Sequence, residues 1–533
     1  MDIKSAILAF QPEDPKETDV KKALLSEWER YGESLLLRTQ EEAHLTASGF
    51  ILDPQLRQTL MVYHLLFRSF SWTGGHADGE PDLLSVALRE AREETGISEV
   101  WPFTGQILSI DRFDVPEHQK HGHTVKAHVH YSVAYGLIAP LDQELSVKPD
   151  ENSAVEWIAE SDLEQKCQEK KMLPIYRKIW ERMRKIRKQK DAAYPLLSEA
   201  LLPWYAENAR ELPWRSDRDP YHVWISEIML QQTRVEAVKG YYQRFLEELP
   251  TISALADAEE EKLLKLWEGL GYYSRVRNLQ KAARKIMDTY QGVFPKTYVE
   301  LLSLPGIGEY TAGAIASICF DFPVAAVDGN VIRVLSRILE LFEPSGQPSM
   351  KKLLSSSLQA VYPAGNCGTF TQSLMELGAI ICTPNGIPKC GICPCLSFCR
   401  AFRYGTAERL PAKSPKRPRR KEKRTVFVYS CNGRIAVRQR EAHGLLAGCW
   451  EFPNCIGSLT EQEAAAFASR QGLSLISVDR SLNKKHVFTH VEWEMICYFF
   501  SCSEMPDSFR WVTEQELTEK IALPTAFKMF LSE

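Results

Sequence analysis

The chain has 533 residues, 44% hydrophobic and 25% charged, with 13 cysteines and a formal net charge of −4. That length is too great for one core and suits about three domains, and the composition is that of an ordinary globular protein. No apolar run reaches the roughly 18 residues that span a bilayer, the first residues do not read as a signal peptide, and cysteines in such a chain point to thiols or metal ligands rather than disulfides. The charge is unevenly spread: residues 1–164 carry 14 basic and 29 acidic side chains, the rest 51 and 40. The basic part is the candidate for contact with nucleic acid.

Residues 1–164 mix strand-like runs such as VKAHVHYSVAYGLI with helical ones, which reads as an α+β domain. The run VALREAREET predicts a helix of good helix formers, capped by Gly96. On it Glu90, Glu93 and Glu94 stand at i, i+3 and i+4, hence on one face. Three carboxylates together repel one another unless a hard cation such as Mg²⁺ neutralises them, and Mg²⁺ favours carboxylates combined with a substrate's phosphates. A solvated helix face is the competing reading. The segment Gly75–Ile97, with Arg89 before Glu90 and Gly96 near its end, resembles the Nudix box: Gly, thirteen residues, then Arg-Glu-x-x-Glu-Glu-x-Gly and an apolar residue. That resemblance implies hydrolysis of a diphosphate linked to another group, with Mg²⁺ or Mn²⁺ on Glu90, Glu93 and Glu94 beside Arg89. The box usually carries an acid where this chain has Pro81, next to Glu80. A module that only binds nucleotides is the alternative.

Residues 165–192, with YRKIWERMRKIRKQK, are strongly basic and have helical periodicity; they are expected to form a helical linker. Residues 193–403 read as almost entirely helical with Gly/Pro breaks. Within them Leu304-Pro-Gly306-Ile-Gly308 stands directly before a helical run, so the tight turn and helix N-terminus can present backbone amides to a phosphate. Upstream lies VWISEIML, whose Glu227 is costly to bury without purpose. Downstream lies Asp328-Gly-Asn330.

With Leu212-Pro-Trp214-Arg215, Gln231-Gln232-Thr-Arg and Gly271-Tyr272-Tyr273, these segments resemble the MutY family of adenine DNA glycosylases. The hairpin looks like the helix-hairpin-helix motif of DNA repair glycosylases, with Gly306 and Gly308 at the phosphate. The resemblance implies that Glu227 protonates adenine, that Asp328, ionised, stabilises the sugar cation, and that Asn330 and Tyr310 position these groups. It also implies that Arg215, Gln232 and Tyr272 contact DNA while the base leaves the stack. The related endonuclease III family has a lysine at the position of Tyr310, so a monofunctional glycosylase is expected. A glycosylase–lyase acting on oxidised pyrimidines is the runner-up, and a non-catalytic lesion-binding protein the reading from another class.

Cys382, Cys390, Cys393 and Cys399 are spaced for zinc or an iron–sulfur cluster. One central CxxC with outer single cysteines resembles the 4Fe–4S site of this glycosylase family, here with one extra residue in the first gap and with Cys395 as a bystander. Residues 404–424 form a second basic linker, whose AKSPKRPRRKEKR is expected to be extended. Residues 425–533 return to strand-like runs such as TVFVYS and MICYFF. Gly444 through Pro453 and Phe488-Thr489-His490 resemble the MutT-like C-terminal domain of MutY proteins, without the glutamate box. The resemblance implies that Phe488, Thr489 and His490 read 8-oxoguanine, with Thr489 where the family has Ser.

The expected architecture is therefore multidomain: an α+β Nudix domain, an all-α helix-hairpin-helix glycosylase with an iron–sulfur cluster loop, and a C-terminal α+β Nudix-like domain. The expected partners are double-stranded DNA holding adenine opposite 8-oxoguanine and, at the front, a nucleotide. No membrane partner is expected, and the chain is read as a monomer of the bacterial cytoplasm, at the nucleoid.

Overall fold

The computed structural model describes residues 2–120, 123–413, 418–441 and 443–531. No helix among them is long and apolar enough to cross a membrane. The chain divides into two compact units: residues 1–209, 327–363 and 372–414 form the first, and 210–326, 364–371 and 415–533 the second.

The first unit opens with a mixed sheet. Its main strands are β1 (Ala43–Leu52), β2 (Gln58–His64), β3 (Thr73–His76), β4 (Ser109–Val115), β5 (His128–Ile138) and β6 (Asn152–Ala159), with the short strands Ser69–Ser71 and Trp101–Pro102 completing eight. β1 and β5 run parallel at its centre, while β6 pairs with β2, β3 with β1 and β4 with β5, all antiparallel. Alternate residues of β1 point to opposite faces. Leu45, Ala47 and Ile51 pack with Leu83, Val86 and Ala87 of helix α1 (Leu83–Thr95), while Phe50 and Leu52 pack on the other face. That second face is covered by α2 (Leu173–Asp191), whose Tyr176, Ile179, Trp180 and Met183 are fully buried.

This corrects the expected linker over 165–192. The helix is present, but its apolar stripe belongs to the front domain's core, and two of its cations, Arg182 and Lys190, are buried as well. Arg182 of α2 forms a buried ion pair with Glu17, 2.6 Å apart, and Lys178 adds a second contact at 2.8 Å. Burial alone would raise the Glu17 pKa, but these two cations outweigh it and hold the carboxyl at about 2. At the far end of α2, Lys190 donates to the carbonyls of Phe103 and Glu340. The Glu340 carboxylate accepts from Thr104 Oγ1 at 2.8 Å. The front sheet and the segment after residue 327 thus form one body.

The helices between the sheets include α3 (Pro220–Leu230), α4 (Ser274–Tyr290) and α5 (Glu309–Phe320) in the second unit, and α6 (Gly329–Leu339) in the first. The C-terminal sheet follows, with β7 (Arg420–Cys431), β8 (Arg434–Gln439), β9 (Leu475–Val487), β10 (Val491–Cys502) and β11 (Arg510–Thr513). A parallel pair, β7 with β10, again lies at the centre, flanked by antiparallel β8 and β9. Val426, Phe452, Trp493 and Phe527 lie in its core. The second linker is shorter than expected. Residues 414–417 lie outside the described residues, but Arg420–Arg424 already belong to β7 and pair with Val491–Met495. The basic run enters the sheet because Glu422 sits between Arg420 and Arg424 and bonds to both.

Candidate active site

Asp219 caps α3 by accepting from the Tyr221 amide at 2.7 Å, and Pro220 occupies the first helical position, where no N–H is needed. The helix is apolar nearly all round and its centre is buried. Glu227 lies there, 6% exposed. Its Oε2 accepts a hydrogen bond of 2.7 Å from the Tyr310 hydroxyl. Tyr310 is the second residue of α5, directly after the glycine hairpin. Gly306 has φ +79°, and a Cβ there would meet Asn278 Cβ at 2.7 Å, so both conformation and space demand glycine. Gly308 is the N-cap of α5 and supplies no capping side chain, and a helix N-terminus favours negative charge. The structure thus brings together a buried carboxyl, a hydroxyl that donates to it, and a glycine turn at a helix N-terminus. Beside them is a small cavity lined by Trp224, Ile228, Arg275, Asn278 and Pro305. The Trp224 indole nitrogen has no hydrogen-bond partner among the described residues.

Gln232 and Tyr272 are both exposed with positive φ, +58° and +48°. Non-glycine residues rarely adopt that conformation, and where they do it is held by the surroundings. Sequence reasoning missed the holder, Arg275. Its guanidinium donates to the carbonyls of Ile228, Gln231, Leu270 and Gly271, which joins the end of α3 to the loop before α4. Among the described residues no carboxylate contacts it, and burial lowers its pKa to about 10. Arg215, half-buried in the turn Pro213–Arg215, donates to the Arg210 carbonyl. The Tyr272 hydroxyl lies 2.7 Å from Thr489 Oγ1. Two residues chosen separately from the sequence, 217 positions apart, therefore meet within the second unit. Phe488 is half-buried between His486 and Trp493, while Thr489 and His490 are exposed at the β9–β10 turn.

In the first unit, Asp328 is the N-cap of α6. Its Oδ1 accepts from the Val331 amide at 2.8 Å and its Oδ2 from Asn330 Nδ2 at 2.7 Å. Burial raises the Asp328 pKa, and these two donors oppose that rise by favouring the ionised form. Arg333 extends the chain of contacts: it donates to Asn330 Oδ1 and to the carbonyls of Gly378 and Cys382.

Cys382, Cys390, Cys393 and Cys399 are half-buried on two short 3₁₀ turns and the loop before them. Arg337 donates to the Cys382 sulfur at 3.3 Å, and its own carbonyl accepts from Cys399. Burial raises the thiol pKa of Cys382 and Cys390 and pushes Cys399 up to about 12. Cysteines in this one segment, two of them bonded to Arg337, suit a thiolate-bound metal group, whose charge would offset that burial. Cys395, the expected bystander in this segment, is fully buried.

On the front domain, Asp82 and Gly96 cap α1 as its spacing requires. Its glutamates do not share one environment, however. Glu90 and Glu94 turn inward and Glu93 is exposed, because 13 residues of helix on a sheet leave only a narrow inward stripe. Glu90 pairs with Arg89 at 2.9 Å, and Glu93 lies 3.9 Å from both Arg89 and Lys148. Burial raises the Glu94 pKa to about 8, although the Gly74 amide donates to it. A divalent cation would favour its ionised form.

Residues 225–358 match the HhH-GPD superfamily base excision DNA repair protein profile, and residues 42–182 and 425–533 each match a NUDIX domain. Adenine DNA glycosylase of Mus musculus is 36% identical over 393 residues, which cover 62% of this chain and 76% of the relative. The Homo sapiens enzyme is 35% identical over 396 residues, covering 62% of this chain and 72% of the relative. Among solved structures, a thermostable thymine-DNA glycosylase is 28% identical with a TM-score of 0.37, over 40% of this chain and 97% of that one.

Proposed function

Because the chain belongs to the adenine DNA glycosylase family, we propose that it removes adenine paired with 8-oxoguanine from duplex DNA and leaves an abasic site without cutting the strand. The observation that carries this reading is the contact of buried Glu227 with Tyr310 at the foot of the glycine hairpin. Adenine leaves poorly as an anion, so Glu227 donates a proton to a ring nitrogen. Tyr310 occupies Oε2 and orients the carboxyl. Asp328, ionised, stabilises the cationic sugar, and Asn330 fixes its carboxylate. Gln232, Tyr272 and Arg215 support the distorted duplex, and Gly306 and Gly308 hold a backbone phosphate. Phe488, Thr489 and His490 read the oxidised guanine; the Tyr272–Thr489 bond supports this by joining the lesion loop to the wedge.

Cys382, Cys390, Cys393 and Cys399 hold a 4Fe–4S cluster, which when bound ties a DNA-facing loop into a fixed shape. Arg333 connects that loop to Asn330 and so to Asp328. The front domain hydrolyses a diphosphate-linked nucleotide on Glu90, Glu93 and Glu94. Mg²⁺ or Mn²⁺ bound there would supply charge neutralisation for the phosphates.

The test is single-turnover cleavage of a duplex with adenine opposite 8-oxoguanine, beside one with adenine opposite guanine, with and without later alkali. Strand breaks that need alkali and form faster opposite 8-oxoguanine are expected. Breaks without alkali, or equal rates on both duplexes, would overturn the reading.

A further inference from the structure

The register of the N-terminal sheet gathers four imidazoles on one face. His44 of β1 stands beside His130 of β5 in the parallel ladder. His76 of β3 stands opposite Thr46, two residues along β1 and so on the His44 face. His128 precedes His130 by two and shares its face. The rings meet accordingly: the His44 centroid lies 5.1 Å from His76, 4.9 Å from His128 and 4.7 Å from His130. One nitrogen from each of His44, His76 and His130 lies within 4.8 Å of the other two. These residues alternate with Leu45 and Ala47, which pack against α1, so the cluster lies on the opposite side of the sheet from the glutamates.

The hydrogen bonds of the rings separate a ligand site from packed core. Nδ1 of His44 lies 3.2 Å from the Gln40 carbonyl, and Nδ1 of His128 lies 2.8 Å from that of Lys126. A carbonyl only accepts, so each ring carries a proton on Nδ1, and for His44 in its neutral form Nε2 is the lone-pair nitrogen. His44 is 5% exposed, and its Nε2 has no hydrogen-bond partner among the described residues. Such a buried acceptor is costly unless something binds it. The Nε2 atoms of His128 and His130 are 2.9 Å apart, a contact that needs a proton or another cation between the two nitrogens.

We infer that His44, His76 and His130, completed by His128, bind a divalent transition-metal ion of zinc-like softness. Imidazole nitrogen suits such ions, whereas Mg²⁺ requires oxygen. An ion at the centre of a nitrogen triangle with sides of at most 4.8 Å lies no more than about 2.8 Å from each corner. Movement of under about 1 Å per ring brings all three to about 2.0–2.1 Å. The carbonyls on Nδ1 of His44 and His128 are the outer partners that ligating histidines use to hold ring and tautomer. The site stands whether or not the front domain hydrolyses nucleotides.

The experiment uses the full chain, chelator-treated and then equilibrated with ZnCl₂, with zinc and iron measured in the same samples. One zinc per chain is expected, undiminished by excess MgCl₂ and retained in Cys390→Ser and Cys393→Ser. His44→Gln and His130→Gln should each weaken zinc binding on the order of 100-fold while leaving the adenine-release rate unchanged. Zinc bound equally by His44→Gln, or lost only in the cysteine variants, would overturn the proposal. A readout without substitution guards against misfolded variants: zinc should slow amide exchange in residues 43–46 and 128–131 of the unaltered chain, and no change there would equally overturn it.

Discussion

Replacing Arg275 with methionine removes a cation while keeping most of its stem. The guanidinium donates to the carbonyls of Ile228 at 2.8 Å, Gln231 at 2.7 Å, Leu270 at 2.9 Å and Gly271 at 3.1 Å. Hydrogen bonds to a charged group contribute about 1.5–3 kcal/mol each, so four of them set an upper bound on the order of 6–12 kcal/mol. Water recovers much of this at the half-exposed loop, and methionine avoids the cost of burying a charge that has no counter-ion. A net loss of about 3 kcal/mol is expected. Those carbonyls also hold Gln232 and Tyr272 at positive φ. Their release should let Gln232 and Tyr272, the proposed supports of the distorted duplex, drift by about 1 Å, at a cost on the order of 100-fold in rate. Urea denaturation and single-turnover adenine release, measured on the same variant, test both numbers. Arg275→Lys should recover only part, because one ammonium cannot span both loops. A methionine variant within about 0.5 kcal/mol and threefold of the unaltered protein would refute the reasoning; that stability margin is the scatter of an ordinary surface substitution.

Three further outcomes are expected. Burial raises the Asp328 pKa, so the single-turnover rate should fall on acidification at a pH above the ordinary carboxylate value of about 3.9. Asn330→Ala, which removes a donor favouring the ionised form, should move that limb to higher pH, and an unmoved limb would show that another group sets it. Glu17 has its folded pKa depressed to about 2. It therefore contributes stability in full above its unfolded value near 4.3 and loses it as the pH falls toward 2, an effect on the order of 3 kcal/mol. Glu17→Gln should flatten that part of a stability-versus-pH curve, and a curve of unchanged shape would count against the pairing with Arg182. Thr489→Val keeps the shape but loses the bond to Tyr272. The preference for 8-oxoguanine over guanine should shrink by about fivefold to tenfold, equivalent to about 1 kcal/mol, and an unchanged ratio would remove that bond from the account.

Local signals in the sequence were legible. The α1 helix with its Gly96 cap and the glycine hairpin before α5 each depend on a few consecutive residues whose conformational needs are strong. Features made by distant parts of the chain were not. The α2 helix reads as basic because its lysines and arginines outnumber the Tyr176, Trp180 and Met183 stripe, and only the sheet beneath shows that the stripe is core. Arg420–Arg424 read as linker because charged strand residues look like solvated chain until β10 pairs with them. Glu93 parts from Glu90 and Glu94 because helical spacing gives a direction but not the width of the buried face. Arg275 lies in the family-like run GYYSRVRN, but its role did not show in the sequence, since its partners are backbone carbonyls, which any sequence supplies.

The central claim is that Glu227 delivers the proton that lets adenine leave. Its most direct test is the single-turnover rate of adenine release by Glu227→Gln, with duplex binding measured in parallel. The glutamine keeps an acceptor for Tyr310 but has no acidic proton to give. The account predicts a rate at least about 100-fold lower with binding nearly unchanged; a variant that binds the duplex and releases adenine at the original rate would contradict it.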